Sequence, residues 1–147
     1  MPFTRNLILH SALIRFSRAL SILLKGGVPL LKSIDLARKV LHLVSLEVFM
    51  QEVMKKISEG KSLSSEINHE QIPSMIPRML KTAEDTGRMP EMLQSIAEIY
   101  EEELEKNLQY LTTFLQPVLL IFLGATVGII LLSILLPLTD VSSFLSS

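Results

Sequence analysis

From Asn107 to Thr139 the chain carries no Asp, Glu, Lys or Arg. Inside that run, 15 of the 19 residues from Val118 to Leu136 are apolar, and the other four are Gly124, Thr126, Gly128 and Ser133. An α-helix rises about 1.5 Å per residue, so roughly 20 such residues cross a hydrocarbon layer about 30 Å thick. A helix that is apolar on every side needs either lipid or a large protein core around it. A chain of 147 residues is too small to enclose one. The run therefore predicts a transmembrane helix over residues 112–138, followed by a short tail at 139–147. Its C-terminal place separates it from a cleaved signal peptide. The first ten residues, MPFTRNLILH, are too short and too polar for a signal or a span and read as a lead-in over residues 1–12.

Charge gives the orientation. All 14 Lys and Arg precede Asn107, and the tail has only Asp140. The positive-inside rule puts residues 1–106 in the cytoplasm and the C-terminus in the periplasm. The flank just before the span is mostly acidic (Glu101, Glu102, Glu103 and Glu105, with Lys106), so few positive charges lie close to it.

The remaining sequence has a period near 3.6 and no sustained two-residue alternation, which predicts helices throughout. Leu13, Phe16, Leu20, Leu23 and Leu24 make a first stripe, with Arg15, Arg18 and Lys25 off it. Gly26-Gly27 stops that helix, and Pro29 opens the next in its first turn. Leu30, Leu31, Ile34, Ala37 and Leu41 form the second stripe. Ser45 is the expected N-cap of a third helix ending at Gly60, with Leu46, Phe49, Met50, Val53 and Ile57 inward. A short helix is expected over 62–67, a loop over 68–73, a fifth helix over 74–86 and a sixth from Pro90. The sixth carries Leu93, Ile96, Tyr100, Leu104, Leu108 and Leu111 toward the span. Pro117 should kink it, with Thr113 placed to answer the freed carbonyl. The expected fold is all-α: a six-helix antiparallel bundle over residues 13–111, then one C-terminal transmembrane helix.

Composition removes several chemistries. There is no Cys, hence no disulfide, thiolate–zinc site or thiol nucleophile. The net charge of −1 lacks the basic field of a nucleic-acid binder. No G-x-S-x-G and no Gly-rich G-K-[ST] loop occurs, and His10, His42 and His69 are too scattered for a metal pair. The mean hydropathy of +0.42 is high because of the apolar run.

Four segments, RFSRALSILLKGGVPLLKSIDLARKV (15–40), GKSLSSEI (60–67), IPRMLKTAEDTGRMPEMLQSIAEIYEEELEK (76–106) and QPVLLIFLGATVGIILLSILLPLTDV (116–141), occur in a specific order. Together they resemble the F-type domain of bacterial type II secretion and type IV pilus assembly inner-membrane platform proteins, over residues 13–141. The resemblance implies an all-α cytoplasmic domain in a polytopic inner-membrane protein with no enzymatic activity and no cofactor. It implies coupling of a cytoplasmic assembly ATPase to polymerisation of pilin-like subunits, with other inner-membrane assembly proteins as partners. The family pattern has two such domains and about three spans. This chain matches the second domain and the last span, as a C-terminal piece or a shortened protein would.

Candidate sites each have a plainer reading beside them. Glu84 and Asp85 lie at a helix C-terminus, where carboxylates oppose the dipole. They are tolerated there if they face the free N–H groups at the start of the helix at Pro90. Together with Gly87, they form either a corner lock or a contact for a basic partner. Gly26, Gly27 and Pro29 form a second corner of the same kind. Glu98, Glu101, Glu102 and Glu105 share one helix face. That face is a weak Ca²⁺ or Mg²⁺ candidate, a solvated surface, or a docking face. Residues 1–61 carry a net +6 and residues 62–106 a net −6. That split suits neutralisation inside the bundle, head-to-tail packing in a homo-oligomer, or contact of the basic half with anionic membrane lipid. Gly124 and Gly128 form a G-x-x-x-G for helix pairing in the span. Three functions compete: a coupling component of a secretion or pilus machine, a single-span adaptor or receptor with a helical interaction domain, and a metal-using enzyme.

Overall fold

The computed structural model describes residues 2–145 and is helical, without a strand among the described residues. The elements are α1 (Pro2–Lys25), α2 (Leu30–Ala37), a 3₁₀ turn (Arg38–Val40), α3 (Val44–Ser58), α4 (Leu63–Glu66), α5 (Met75–Thr86) and α6 (Met89–Leu145). The chain divides into two compact units, the first ending at Glu105 and the second beginning at Lys106.

The first unit holds the core. Leu20, Ile34, Leu46, Leu63, Leu80 and Ile96 are each at most 1% exposed, and every helix of the bundle contributes. Each such side chain adds roughly 1.5–3 kcal/mol by leaving water. The His10 ring against Tyr100 and the Ser21 bond to Pro90 run α1 antiparallel to the start of α6. Burial along α6 ends at Tyr100, with Leu104 packed at the edge of the core.

Glycine sets three of the turns. At the end of α1, Gly27 N–H bonds Leu24 O at 3.1 Å and Val28 N–H bonds Leu23 O at 3.1 Å. That paired closure needs a left-handed residue, and Gly27 has φ +82°. Gly60 (φ +96°) ends α3 with the same bond pattern. Gly87 (φ +68°) ends α5, with Arg88 N–H reaching back to Ala83 O at 3.0 Å.

The structure departs from the sequence reading at four places. The lead-in at 1–12 is helical from Pro2, because nothing in PFTRNLILHSAL breaks the period. α3 begins at Val44 with Leu43 as N-cap, and the Ser45 hydroxyl donates to Gln71 Oε1 at 3.1 Å instead of capping. Pro29 is the N-cap of α2 rather than a residue of its first turn, with its carbonyl accepting from Ser33 N at 2.9 Å. Near Pro117 the hydroxyl that returns to the backbone is that of Thr112, to Leu108 O at 3.0 Å, rather than that of Thr113.

In the second unit, α6 continues through Pro117 and Pro137 without a break. Among its described residues, no side chain is buried.

Candidate interaction site

The two corners singled out in the sequence stand at the same end of the bundle, opposite the end where the chain leaves at Glu105. Ser21 on α1 donates to the carbonyl of Pro90 at 2.7 Å, and Lys25 donates to Gln94, so the Gly26-Gly27 corner is tied to the start of α6. Ser33 is fully buried and closes the other side of that corner through Val28 O at 3.2 Å.

Glu84 does not face the start of α6. Its carboxylate accepts from Ser64 N at 2.9 Å and from the Ser64 hydroxyl at 2.6 Å. It thus caps α4 from outside, where a four-residue helix has nearly all its N–H groups free. Ser62 caps the same turn locally, accepting from Ser65 N at 3.4 Å. The carboxylate expected to face the start of α6 meets α4 instead. Asp85 stays exposed beside an open groove of about 450 Å³ bordered by Ser62, Asn68, Arg78 and Lys81. Arg78 and Lys81 share that rim with Glu84 and Asp85, so it is of mixed charge rather than uniformly acidic.

On α6 the four-carboxylate face is partly occupied. Glu101 pairs with Arg18, and Glu98 accepts from Gln94 Nε2 at 3.4 Å. Glu102 and Glu105 are exposed. Among the described residues no three His, Cys, Asp or Glu side chains gather where they would hold a metal ion. The basic and acidic halves meet inside the bundle through Arg18–Glu101 and through Lys56–Glu66 at 3.4 Å. Arg18–Glu101 is exposed on both sides and contributes little stability, whereas Glu66 in the second pair is largely buried.

The three histidines occupy separate places. The His10 ring sits 5.3 Å from that of Tyr100, with Nδ1 buried and without a hydrogen bond. His69 Nδ1 accepts from Gln71 N at 3.1 Å while its ring packs 4.7 Å from Phe49. His42 adopts φ +54° between the 3₁₀ turn and α3. Burial, and then the neighbouring charge of Glu103, raise the Tyr100 pKa above its ordinary value.

In the second unit the polar side chains of the apolar run turn back on their own helix. Thr126 donates to Phe122 O at 2.8 Å and Ser133 to Ile129 O at 2.8 Å. Hydroxyls satisfied this way need no water, which suits a hydrocarbon surrounding. A side chain built on Gly124 or Gly128 would meet nothing within 4 Å, so both glycines border open space. Sequence reasoning missed Ser21, Ser33 and Ser64. Each is a serine whose role rests on a carbonyl or carboxylate that it meets only in the fold.

The comparisons with known proteins agree on one family. The family model described as type II secretion system (T2SS), protein F, matches residues 16–137. Similar proteins include the type IV pilus assembly protein PilC of Myxococcus xanthus, 34% identical over 139 residues, covering 94% of this chain and 33% of that protein. PilC of Thermus thermophilus is 31% identical over 148 residues, covering 99% of this chain and 36% of that protein. The type II secretion system protein F of Pseudomonas aeruginosa is 31% identical over 146 residues, covering 97% and 35% respectively. The chain spans about a third of the length of these relatives. With 122 positions under one family model, from Phe16 within α1 to Pro137 within α6, the chain belongs to the type II secretion system protein F family.

Proposed function

We propose that this chain is an inner-membrane platform component of a type II secretion or type IV pilus assembly machine. It couples a cytoplasmic assembly ATPase to the polymerisation of pilin-like subunits. The family match carries this reading, because it runs from within α1 through most of the apolar helix. Residues 1–106 face the cytoplasm, the helix over 112–138 crosses the membrane, and the C-terminus is periplasmic. The chain performs no chemistry of its own. It works through protein contacts: the groove beside Asp85 and the acidic face of α6 toward machine components, and Gly124 and Gly128 toward other membrane helices, in its own copies or in other inner-membrane assembly proteins. Pro117 removes one backbone bond in α6 and supplies a point of flexure.

Two measurements test it. Deleting the gene in its host should abolish surface pili or protein export, and an unchanged strain overturns the assignment to such a machine. Single cysteines at Ser62 and Ser143 test the topology, since the chain has none of its own. In intact cells a membrane-impermeant thiol reagent should label Ser143→Cys and spare Ser62→Cys; the reverse pattern inverts the orientation.

A further inference from the structure

Along the uncharged part of α6 the residues are sorted by side. Stepping forward from Leu108 alternately by three and four residues, the chain meets Leu111, Leu115, Val118 and so on to Leu136, nine positions that are all apolar. From Asn107 to Pro137 eleven residues are polar, Gly or Pro, and none of them falls on a step. A row of Leu and Ile is expected in so apolar a segment, but the exclusion of all eleven others from one row is not. A spacing that averages 3.5 residues is the a/d seam of a coiled coil. The helix runs unbroken through both prolines, so the seam is continuous from Leu108 to Leu136. It is also open: Leu108 is 47%, Leu111 44%, Phe122 71% and Ile129 66% exposed. The hydroxyls flanking it, on Thr112, Thr126 and Ser133, are bonded to carbonyls of their own helix and make no demand on a partner.

We infer that α6 pairs along this seam with α6 of a second copy, in parallel and in register. The inference rests on the reading that α6 crosses a membrane, which sets two copies side by side in the same direction. The uncharged run from Asn107 to Thr139 is 33 residues long. As a helix it measures about 50 Å, against roughly 30 Å of hydrocarbon, so part of it stands outside. Its polar side chains mark that part as the N-terminal one, with Asn107, Gln109, Thr112, Thr113 and Gln116 all there. At that level Leu108 and Leu111 face water unless protein covers them. An identical helix in register brings the same two leucines to the same level. No charge flanks the seam, so nothing repels a like copy, whereas coiled coils that refuse identical partners do so with charged flanks. Inside the hydrocarbon, burying apolar surface gains nothing, and Phe122, Ile129 and Leu132 contribute by close packing instead. A seven-residue repeat drifts about 20° per heptad on a straight helix, so a closed seam winds the pair into a left-handed supercoil. Gly124 and Gly128 lie about a quarter of a turn from the seam. Packing on them would give a different, right-handed crossing, and the seam leaves that face to another helix.

Disulfide formation between single cysteines tests it, in host membranes that carry the full chain in two versions distinguished by a tag. Leu108→Cys, Leu111→Cys and Leu115→Cys should cross-link the tagged to the untagged version about tenfold faster than Gln109→Cys and Thr113→Cys, which lie off the seam. The three seam positions are read independently, so one variant that fails to accumulate leaves two. Adding Phe122→Ala and Ile129→Ala should slow cross-linking at position 111 about fivefold, the contribution of roughly one packed contact between membrane helices. Gly124→Leu should leave that rate unchanged. Equal rates on all sides, or rates that rise in proportion to the amount of protein, report chance collisions and overturn the inference. A cross-link at 111 that joins only a protein of another size gives the seam to a different helix and also overturns it, as does one abolished by Gly124→Leu. Alkaline carbonate separates this from the membrane reading. Failure to cross-link with the chain still held in the membrane overturns the pairing alone, whereas release of the chain overturns both.

Discussion

At the scale of single residues, the glycines of this chain are not equivalent. Gly26 and Gly27 are adjacent, but only Gly27 holds a left-handed φ, at +82°. A side chain on Gly26 would touch Leu23 O and Ile22 O at 3.4 and 3.5 Å, at the near edge of ordinary contact. Gly27→Ala should therefore lower stability by about 1–2 kcal/mol from backbone strain alone, and Gly87→Ala by a similar amount. Gly26→Ala should be close to neutral; thermal midpoints in one detergent compare the three directly. The pair is visible in the sequence as a stop signal, but which member turns left-handed depends on where the last helical bond closes. Tyr100 gives a second test at this scale. Burial, and then Glu103, disfavour its phenolate, so its folded-state pKa lies above the value in the unfolded chain, about 10. A raised pKa means that the stability tied to the neutral ring is complete below about pH 10 and drains away as pH rises through the folded value. The wild type should lose stability relative to Tyr100→Phe above that pH and track it in parallel below. Parallel curves throughout would remove burial of the phenol as the cause.

At the scale of elements, α4 shows how a short helix survives. Four residues cannot form a stable helix alone, because nucleation is unfavourable and almost every N–H lacks a partner. Leu63 anchors the turn in the core at 1% exposure, and Glu84 answers its N-terminus from α5. Glu84→Ala should cost about 1–2 kcal/mol by removing a charged acceptor from two donors. Ser64→Ala should cost less, because its backbone N–H keeps the carboxylate. A double-mutant cycle between the two should show coupling of about 1 kcal/mol, and additive losses would mean that the bonds do not hold α4 in place. Much of the element level was legible beforehand. Apolar stripes at period 3.6 located α1, α2, α3 and the start of α6, and glycines located the ends of α1, α3 and α5. The misreadings share a cause. Ser45 has the right residue type for an N-cap, but the chain enters α3 through Leu43 and leaves that hydroxyl free for Gln71. Glu84 has the right chemistry for a cap, but sequence proximity pointed to the next helix rather than to one twenty residues back. Side-chain bonds between distant segments have no periodic signature, so neither partner could be read without the fold.

At the scale of the whole chain, burial and hydrophobicity are divided between different segments. Every buried residue among those described lies between Ala12 and Tyr100, whereas the most apolar 18-residue stretch of α6, with a mean hydropathy of 2.9, has none of its residues buried. In water these facts conflict: residues that gain most from leaving solvent are the ones left in it, an exposed apolar surface far larger than soluble monomers keep. A bilayer resolves the conflict without rearranging the bundle, because the core is complete before Lys106. Removing residues 107–147 should accordingly give a protein that needs no detergent and unfolds cooperatively, with Leu20→Ala destabilising it by about 2–5 kcal/mol as a closed core requires. The complete chain should stay in the membrane fraction under alkaline carbonate and leave it only with detergent. A truncated bundle that melts without cooperativity would show that the apolar helix is part of the core instead of an anchor for it. The charge halves then have a use within the soluble piece. Arg18–Glu101 and Lys56–Glu66 join the +6 and −6 segments, and because each pair has at least one side chain open to solvent, raising salt should shift the thermal midpoint only slightly. A large salt-dependent loss would instead mean that the two halves are held together mainly by their charges rather than by the core to which all six helices contribute.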